Sequence, residues 1–403
     1  MRGIPTHYSQ VIRSGWWVRA ALVAVGSTLA CDGESDRVLP SVERSSDVAV
    51  ATLEDLPPTL DPAYLWSHRV LREVQTVSDN DAEPLLFEPS QVLPLSNGEL
   101  LVVDPTADHP LVLVDPESAT ARARFGQSGQ GPGELGSRLT LAEVGDHLLV
   151  FDMGNRQLHR FSLSGVALSS ESVNLSGPAG KALLAPAGDG FLVEGLRSSE
   201  TEWHRVLERV GIESRDASYL LRLPEPSADA EPGRIQQGRV IWTVLGDAIV
   251  AMWSARPEVI VYSPTGRTEH KLTLPLSRRH LTEGDIQRQV SLYGAMAAGQ
   301  RPGPTSLTNE LFAVNDTIFG MLLSQNRRAA DDPALPEGEI WWRMFTVRGE
   351  YLGVLQPPGD YEEFRVLFSG NGTVWARSLD PNGYPVLQEL SLVRRDGAVI
   401  PSS

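Results

Sequence analysis

The chain has 403 residues, enough for two or three average domains or for one large all-β unit. Hydrophobic residues make up 41% and charged residues 21%, the balance of a packed protein, while 36 glycines and 29 prolines imply many turns and favour short strands over long helices. A formal charge of -16, with no basic run longer than Arg278-Arg279 or Arg394-Arg395, argues against nucleic acid as a partner.

The first element reads as an export signal. A basic stretch, MRGIPTHYSQVIRSGWWVR, leads into the apolar run AALVAVGSTLA and then Cys31, the only cysteine. That run is too short to span a bilayer as a helix. Thr28-Leu29-Ala30-Cys31 resembles the bacterial lipobox, although Thr28 stands where leucine is usual. The resemblance implies a signal peptide over 1–30, acylation at Cys31, and an exported protein anchored to a bacterial cell membrane, either the outer membrane or the periplasmic face of the inner one. Residues 31–65 are acidic, broken by prolines and aperiodic, the composition of a flexible tether.

From residue 66 onward the predicted elements repeat. Tight turns at Asn97-Gly98, Gly145-Asp146, Asp189-Gly190, Gly246-Asp247, Asn315-Asp316 and Asn371-Gly372 each precede a strand-like run such as ELLVVD, HLLVFD or AIVAMW. A second set follows further along each unit, at Pro116-Glu117, Ser164-Gly165, Gly211-Ile212, Thr265-Gly266, Arg348-Gly349 and Asp396-Gly397. The unit is therefore a four-stranded antiparallel meander, repeated six times every 45 to 70 residues or so. A single meander cannot bury both faces, and six around an axis can. The predicted fold is all-β, a six-bladed β-propeller over 66–403. The run RVLREVQTV, residues 69–77, is expected to close the ring by pairing near SLVRRDGAVI.

Between the first two units lies FGQSGQGPGELG, residues 125–136. It fails as a phosphate loop, because Gly131 is followed by Pro132 and Gly133 rather than by lysine and a hydroxyl. It also fails as a dinucleotide fingerprint, since the chain continues as strand rather than helix. It reads as a glycine-rich connector stiffened by Pro132. GQGPGEL followed by LLVFDMGNRQLHRFSLSG resembles the NHL-type repeat and the six-bladed propeller lipoproteins of bacteria, over residues 125–169, with Leu135 where an aromatic is usual. That family resemblance implies the propeller fold; propellers serve as binding platforms, scaffolds and enzymes alike, so it implies no single activity.

In a four-stranded meander the first and third turns lie on one face and the second turn and the connector on the other. The long segments fall on the connector face: GLRSSETEWHR, SQNRRAADDPALPEG and the excursion SRRHLTEGDIQRQVSLYGAMAAGQRPGPTS. Within the excursion Thr282 caps a predicted helix near 282–298, with Ile286, Val290, Tyr293 and Ala297 as its apolar stripe; it serves as a lid or as packing. The connector face is the expected binding face.

The candidate binding residues are Glu134 of the connector, Asp104 and Asp152 at the ends of second strands, Asn155, Arg156, Arg327 and Arg328. Asp104, Asp152 and Asp380 are expected beside the third turn, where they would take a cation or ligand or bond the local backbone. Metal-dependent propeller enzymes such as the gluconolactonase-like hydrolases hold calcium near the axis. The innermost strands here, QVLPL, LTLAEV, ALLAPA, VIWTV, LFAV and RVLF, show Glu143 as their only acid, which leaves calcium to loop residues. His109, His204 and His280 share the connector face and form a candidate zinc set without motif spacing. No GxSxG, HExxH or CxxC occurs, and no catalytic residue is legible. The expected function is a membrane-tethered binding platform for a small molecule or a protein in the cell envelope. The alternative is a hydrolase or lyase of a saccharide-like or ester substrate, metal-dependent or not.

Overall fold

A computed structural model of the chain describes residues 50–52, 64–71, 75–76, 86–131, 133–186, 188–198, 202–225, 238–274, 280–281, 283, 287, 303–304, 308–323, 342–355, 362–370, 372–379 and 385–394. Three short strands come first: β1 (Val50–Thr52), β2 (Tyr64–Leu71) and β3 (Gln75–Thr76). Blade one then comprises β4 (Gln91–Pro94), β5 (Leu100–Val103), β6 (Leu111–Asp115) and β7 (Thr120–Phe125), and blade two β8 (Leu139–Val144), β9 (His147–Asp152), β10 (Gln157–Ser162) and β11 (Ala167–Ser172). Blade three is β12 (Ala182–Leu184), β13 (Gly190–Ser198), β14 (Trp203–Gly211) and β15 (Ala217–Arg222); blade four is β16 (Val240–Leu245), β17 (Ala248–Trp253), β18 (Glu258–Tyr262) and β19 (Thr268–Thr273). A small pair, β20 (His280–Leu281) and β21 (Gly303–Pro304), precedes blade five, β22 (Thr308–Ala313), β23 (Ile318–Leu323), β24 (Trp342–Thr346) and β25 (Tyr351–Leu355). Blade six is β26 (Glu362–Gly370), β27 (Thr373–Leu379) and β28 (Pro385–Arg394), completed on its outer edge by β2.

Every blade is an antiparallel meander whose first strand is innermost. Each innermost strand touches its neighbours in the cyclic order β4, β8, β12, β16, β22, β26 and back to β4. The protein is thus a closed six-bladed β-propeller. In blades one to five the register shifts once between third and fourth strands, for example between Leu113 and Val114 and between Arg160 and Phe161. Such bulges increase the local twist and let the outer strand splay as the blade widens away from the axis.

The strands alternate so that one side of a blade faces each neighbour, and the core is divided into six interblade clusters. Leu113, Phe125, Leu141, Val150 and Phe161 join blades one and two. Phe151, Leu158, Phe191 and Val210 join two and three, and Leu192, Leu207, Trp242 and Ile249 join three and four. Val250, Met252, Phe319 and Phe345 join four and five; Phe312, Trp342, Val374 and Leu390 join five and six. The last cluster, Val92, Val102, Val112, Leu367, Trp375 and Leu387, joins six to one. Removing this much apolar surface from water, at roughly 25 cal/mol per Å2, is the main favourable term, and no blade obtains it alone.

The ring closes as the sequence implies, with one correction. The pairing strand is β2, from Tyr64↔Arg394 to Leu71↔Leu387, so closure begins at Tyr64 rather than residue 69. Further along the run, Gln75–Thr76 adds in parallel to β7 of blade one. Val50–Thr52, within the segment read as tether, likewise adds in parallel to β19 of blade four. These additions cover outer edges that would otherwise present unpaired backbone groups. The first turn of blade three sits one step earlier than expected: Gly188 takes the positive φ (67°) and Gly190 already pairs in β13. Cys31, the signal segment, Asp380, Arg327, Arg328 and nearly all of the helix near 282–298 lie outside the described residues. Among the described residues no helix is long and apolar enough to cross a membrane.

Candidate functional site

The sequence-predicted binding carboxylates are consumed by their own turns. Asp104 is fully buried and sits at the second turn of blade one, not the third; its oxygens accept from Phe87 N (2.6 Å), Thr106 N and Thr106 Oγ1 (2.6 Å). Asp152 does the same in blade two, accepting from Gly136 N (2.6 Å), Gly154 N, Asn155 N and Asn155 Nδ2. Asn155 also donates to Gly129 O, and Glu134 accepts from Gly131 N at 2.7 Å. Asp152, Asn155 and Glu134 are therefore brought together, as the internal scaffold of the glycine-rich connector. Pro132 lies outside the described residues. Arg156 is exposed at a positive φ of 55° and contributes its carbonyl, which accepts from Val173 N.

The histidines are drawn to separate partners. His109 Nδ1 is 2.5 Å from Gly126 O, and His204 Nδ1 is 3.2 Å from Glu225. His280 is in β20. Among the described residues no group of three or more His, Cys, Asp or Glu is placed to hold a metal ion. Glu143 accepts from Ser96 N and Oγ near the first turn of its blade, on the face opposite the connectors.

What sequence reasoning missed is a cavity of about 490 Å3 at the connector-side mouth of the central funnel. It is lined by Lys181, Glu194, Arg205, Arg239, Glu310 and Arg365, with the inner edge of Trp242. Lys181 immediately precedes β12 and Arg239 immediately precedes β16; Glu310 and Arg365 lie near the starts of β22 and β26. Four blades thus each place a charged residue at or near the start of the innermost strand, at the mouth. Glu310, together with Glu362 and Glu363 at the start of β26, corrects the reading of Glu143 as the only acid of the innermost strands. β22 begins at Thr308, ahead of the apolar LFAV, and a bulge between Thr308 and Glu310 separates the two in the ladder.

Glu194 arrives by a different route. In the ladder it faces Lys181, the position that Asp152 holds opposite Leu139 in blade two. In blades one and two this position caps a tight second turn. In blade three β13 and β14 continue pairing as far as Ser198↔Trp203, so no turn forms there and the carboxylate is released toward the axis. Glu194 then accepts from the Trp242 indole N–H at 3.2 Å and pairs with Arg205. Lys181 Nζ donates to the Trp242 carbonyl at 2.8 Å and lies 5.3 Å from the centre of its ring. From blade two Arg138 donates to the carbonyl of Ala179 at 2.5 Å, fixing the approach to Lys181.

Four cations and two carboxylates meet here in a chain of net charge -16. Lys181 is open to the funnel, yet protein surrounds it. That desolvation draws its pKa below the usual lysine value, against the pull of Glu310 and Glu194. Burial raises the pKa of Glu310, against Lys181, Arg365 and Arg239. Enclosure without being covered over is what a concave binding site imposes on its lining.

No protein-family model matches the chain. No curated protein sequence matches it either. Among solved structures it is similar to a protein described as exported from Bacteroides fragilis, at 10% identity over 83% of this chain and 97% of that one, with a TM-score of 0.48. A member of the DUF4221 family from Bacteroides vulgatus gives 10% identity, 82% and 97% coverage and a TM-score of 0.46. Virginiamycin B lyase from Staphylococcus aureus gives 11% identity, 81% and 100% coverage and a TM-score of 0.42.

Proposed function

We propose that this chain is an exported six-bladed propeller, held at a bacterial membrane by an acylated Cys31, that presents the funnel mouth of its connector face as a ligand-binding site. The observation that carries the proposal is the cavity of about 490 Å3 lined by charged residues from four blades. Polar groups that converge in a concavity on a rigid scaffold can fix the orientation of a small molecule. Nucleic acid is a poor occupant, because the surrounding chain is acidic.

Two measurements test this reading. Replacing Cys31→Ala should move the protein from the membrane to the soluble fraction, and unchanged fractionation counts against the anchor. A panel of sugars, amino acids, organic acids and short peptides, with and without calcium, should include compounds that raise the melting temperature saturably. Lys181→Met should abolish that rise. A panel with no saturable ligand would remove the binding-site reading.

A second reading has its own support. Lys181 and Glu310 share the cavity and have pKa values displaced in opposite directions by burial, the tuning that general acid and base groups need. On that reading the chain is a hydrolase or lyase. Turnover of any stabilising compound, lost in both Lys181→Met and Glu310→Gln, would favour it over a pure binding platform.

A further inference from the structure

The second hairpin of blade three extends past the cavity-lining residues Glu194 and Arg205. β13 and β14 pair beyond the end of β12 through Glu194↔Leu207, Leu196↔Arg205 and Ser198↔Trp203. Directly opposed residues of an antiparallel ladder point to the same side, and alternate residues along each strand share a face. Trp203, Arg205 and Leu207 therefore stand on the same face as Glu194. Glu194 identifies that face as the one turned to blade four and the cavity, since it bonds to Trp242 and lines the cavity with Arg205. Trp203 lies two residues outward from Arg205, roughly 7 Å along the strand. Its side chain is 68% exposed, the most exposed large apolar group among the described residues.

An indole left in water forgoes the burial that usually places tryptophan inside a protein, and a flat ring laid against it restores that gain. The other face of the hairpin is tied to its own blade: Arg197 pairs with the buried Glu208 at 2.7 Å and lies 5.5 Å from the ring of Tyr219. The hairpin is thus fixed from behind and presents Trp203 forward. Below it, the cavity lining carries four cations against two carboxylates, a net positive charge. Guanidinium groups hold carboxylates and phosphates through paired N–H donors.

Building on the ligand-binding reading above, we propose that the funnel mouth takes a small molecule in which a carboxylate or phosphate group is attached to a flat ring. The oxyanion is held by Arg239, Arg365 and Lys181, and the ring lies against Trp203.

The test uses the full chain and four probes that separate charge from ring: benzoate, phenyl phosphate, benzamide and acetate, titrated by calorimetry and by tryptophan fluorescence. Benzoate or phenyl phosphate should bind saturably and change the fluorescence, with benzamide and acetate each at least tenfold weaker; which of the two anions binds more tightly distinguishes a carboxylate from a phosphate ligand. Arg365→Gln, at an exposed position, should weaken the anions at least tenfold without changing the melting temperature. Trp203→Ala should bring benzoate down to the level of acetate. Equal binding of benzoate and benzamide would overturn the anionic class, and unchanged affinity in Trp203→Ala would overturn the ring contact. If neither anion binds, this inference fails; the platform reading fails with it only if the broader panel also yields no ligand.

Discussion

His159 shows how a single residue sets a condition on the whole ring. It lies on β10, is 2% exposed, faces blade one beside Phe161, and its Nε2 has no hydrogen-bond partner among the described residues. Burial draws its pKa below the usual 6.5, against a smaller upward pull from Asp152. The unfolded chain therefore binds a proton at a pH where the folded ring does not, and stability must fall as the pH drops through and below about 6.5. The melting temperature of the wild type should decline on acidification from about pH 7.5 to about pH 5, and His159→Phe should decline less over the same range. Parallel curves for the two proteins would remove His159 from the account. Asp152 makes the complementary case. It is buried and accepts from three backbone N–H groups and one side chain, at about 1.5–3 kcal/mol for a typical hydrogen bond to a charged group, so Asp152→Ala should destabilise by at least about 3 kcal/mol in urea. Ligand affinity at the funnel should be unchanged, which separates its structural role from the binding role that its position in the sequence first invites.

At the scale of elements, the connector of residues 125–136 and the β13–β14 hairpin illustrate what can be read from sequence and what cannot. The connector announced itself by composition. Gly126 and Gly133 supply positive φ, whereas Gly129 is there because the backbone folds over a side chain: a Cβ on Gly129 would collide with the Glu134 carboxylate that accepts from Gly131 N. Gly129→Ala should lower the melting temperature, and in the background of Glu134→Ala the same change should cost less, because the obstacle is gone. Equal costs in both backgrounds would refute the contact. The blade pattern was legible for a related reason, since turn residues and period-two alternation are local signals repeated six times. The funnel mouth carries no such signal. Lys181, Arg239, Glu310 and Arg365 are single residues at the starts of four strands in four blades, and only ring closure brings them together. Glu194 alone had a sequence cue: aligning blade three on Asp104 and Asp152 places it at the capping position, followed by a run too long to turn there.

For the molecule as a whole, stability is distributed over six similar interfaces, and a ring of this kind is only as secure as its closure. Five blades are built from consecutive strands, whereas blade six borrows β2 from the opposite end of the propeller. Eight residue pairs, Tyr64↔Arg394 through Leu71↔Leu387, convert an open stack with two exposed ends into a loop. Without β2 the long strand β28 would become an unprotected edge, and Leu387, which joins the cluster against blade one, would lose its ladder partner. Every interface would then open more easily, because none is locked by the next. Deleting residues 1–46 removes nothing from the unit that spans Asp47–Ser403 and should leave a single cooperative urea transition at the wild-type midpoint. Deleting residues 1–71 should lower the midpoint sharply, shallow the slope, and expose β26, β27 and β28 to hydrogen exchange ahead of blades two and three. A protein lacking residues 1–71 that still melts in one transition at the wild-type midpoint would show that the ring is held by its interblade cores alone.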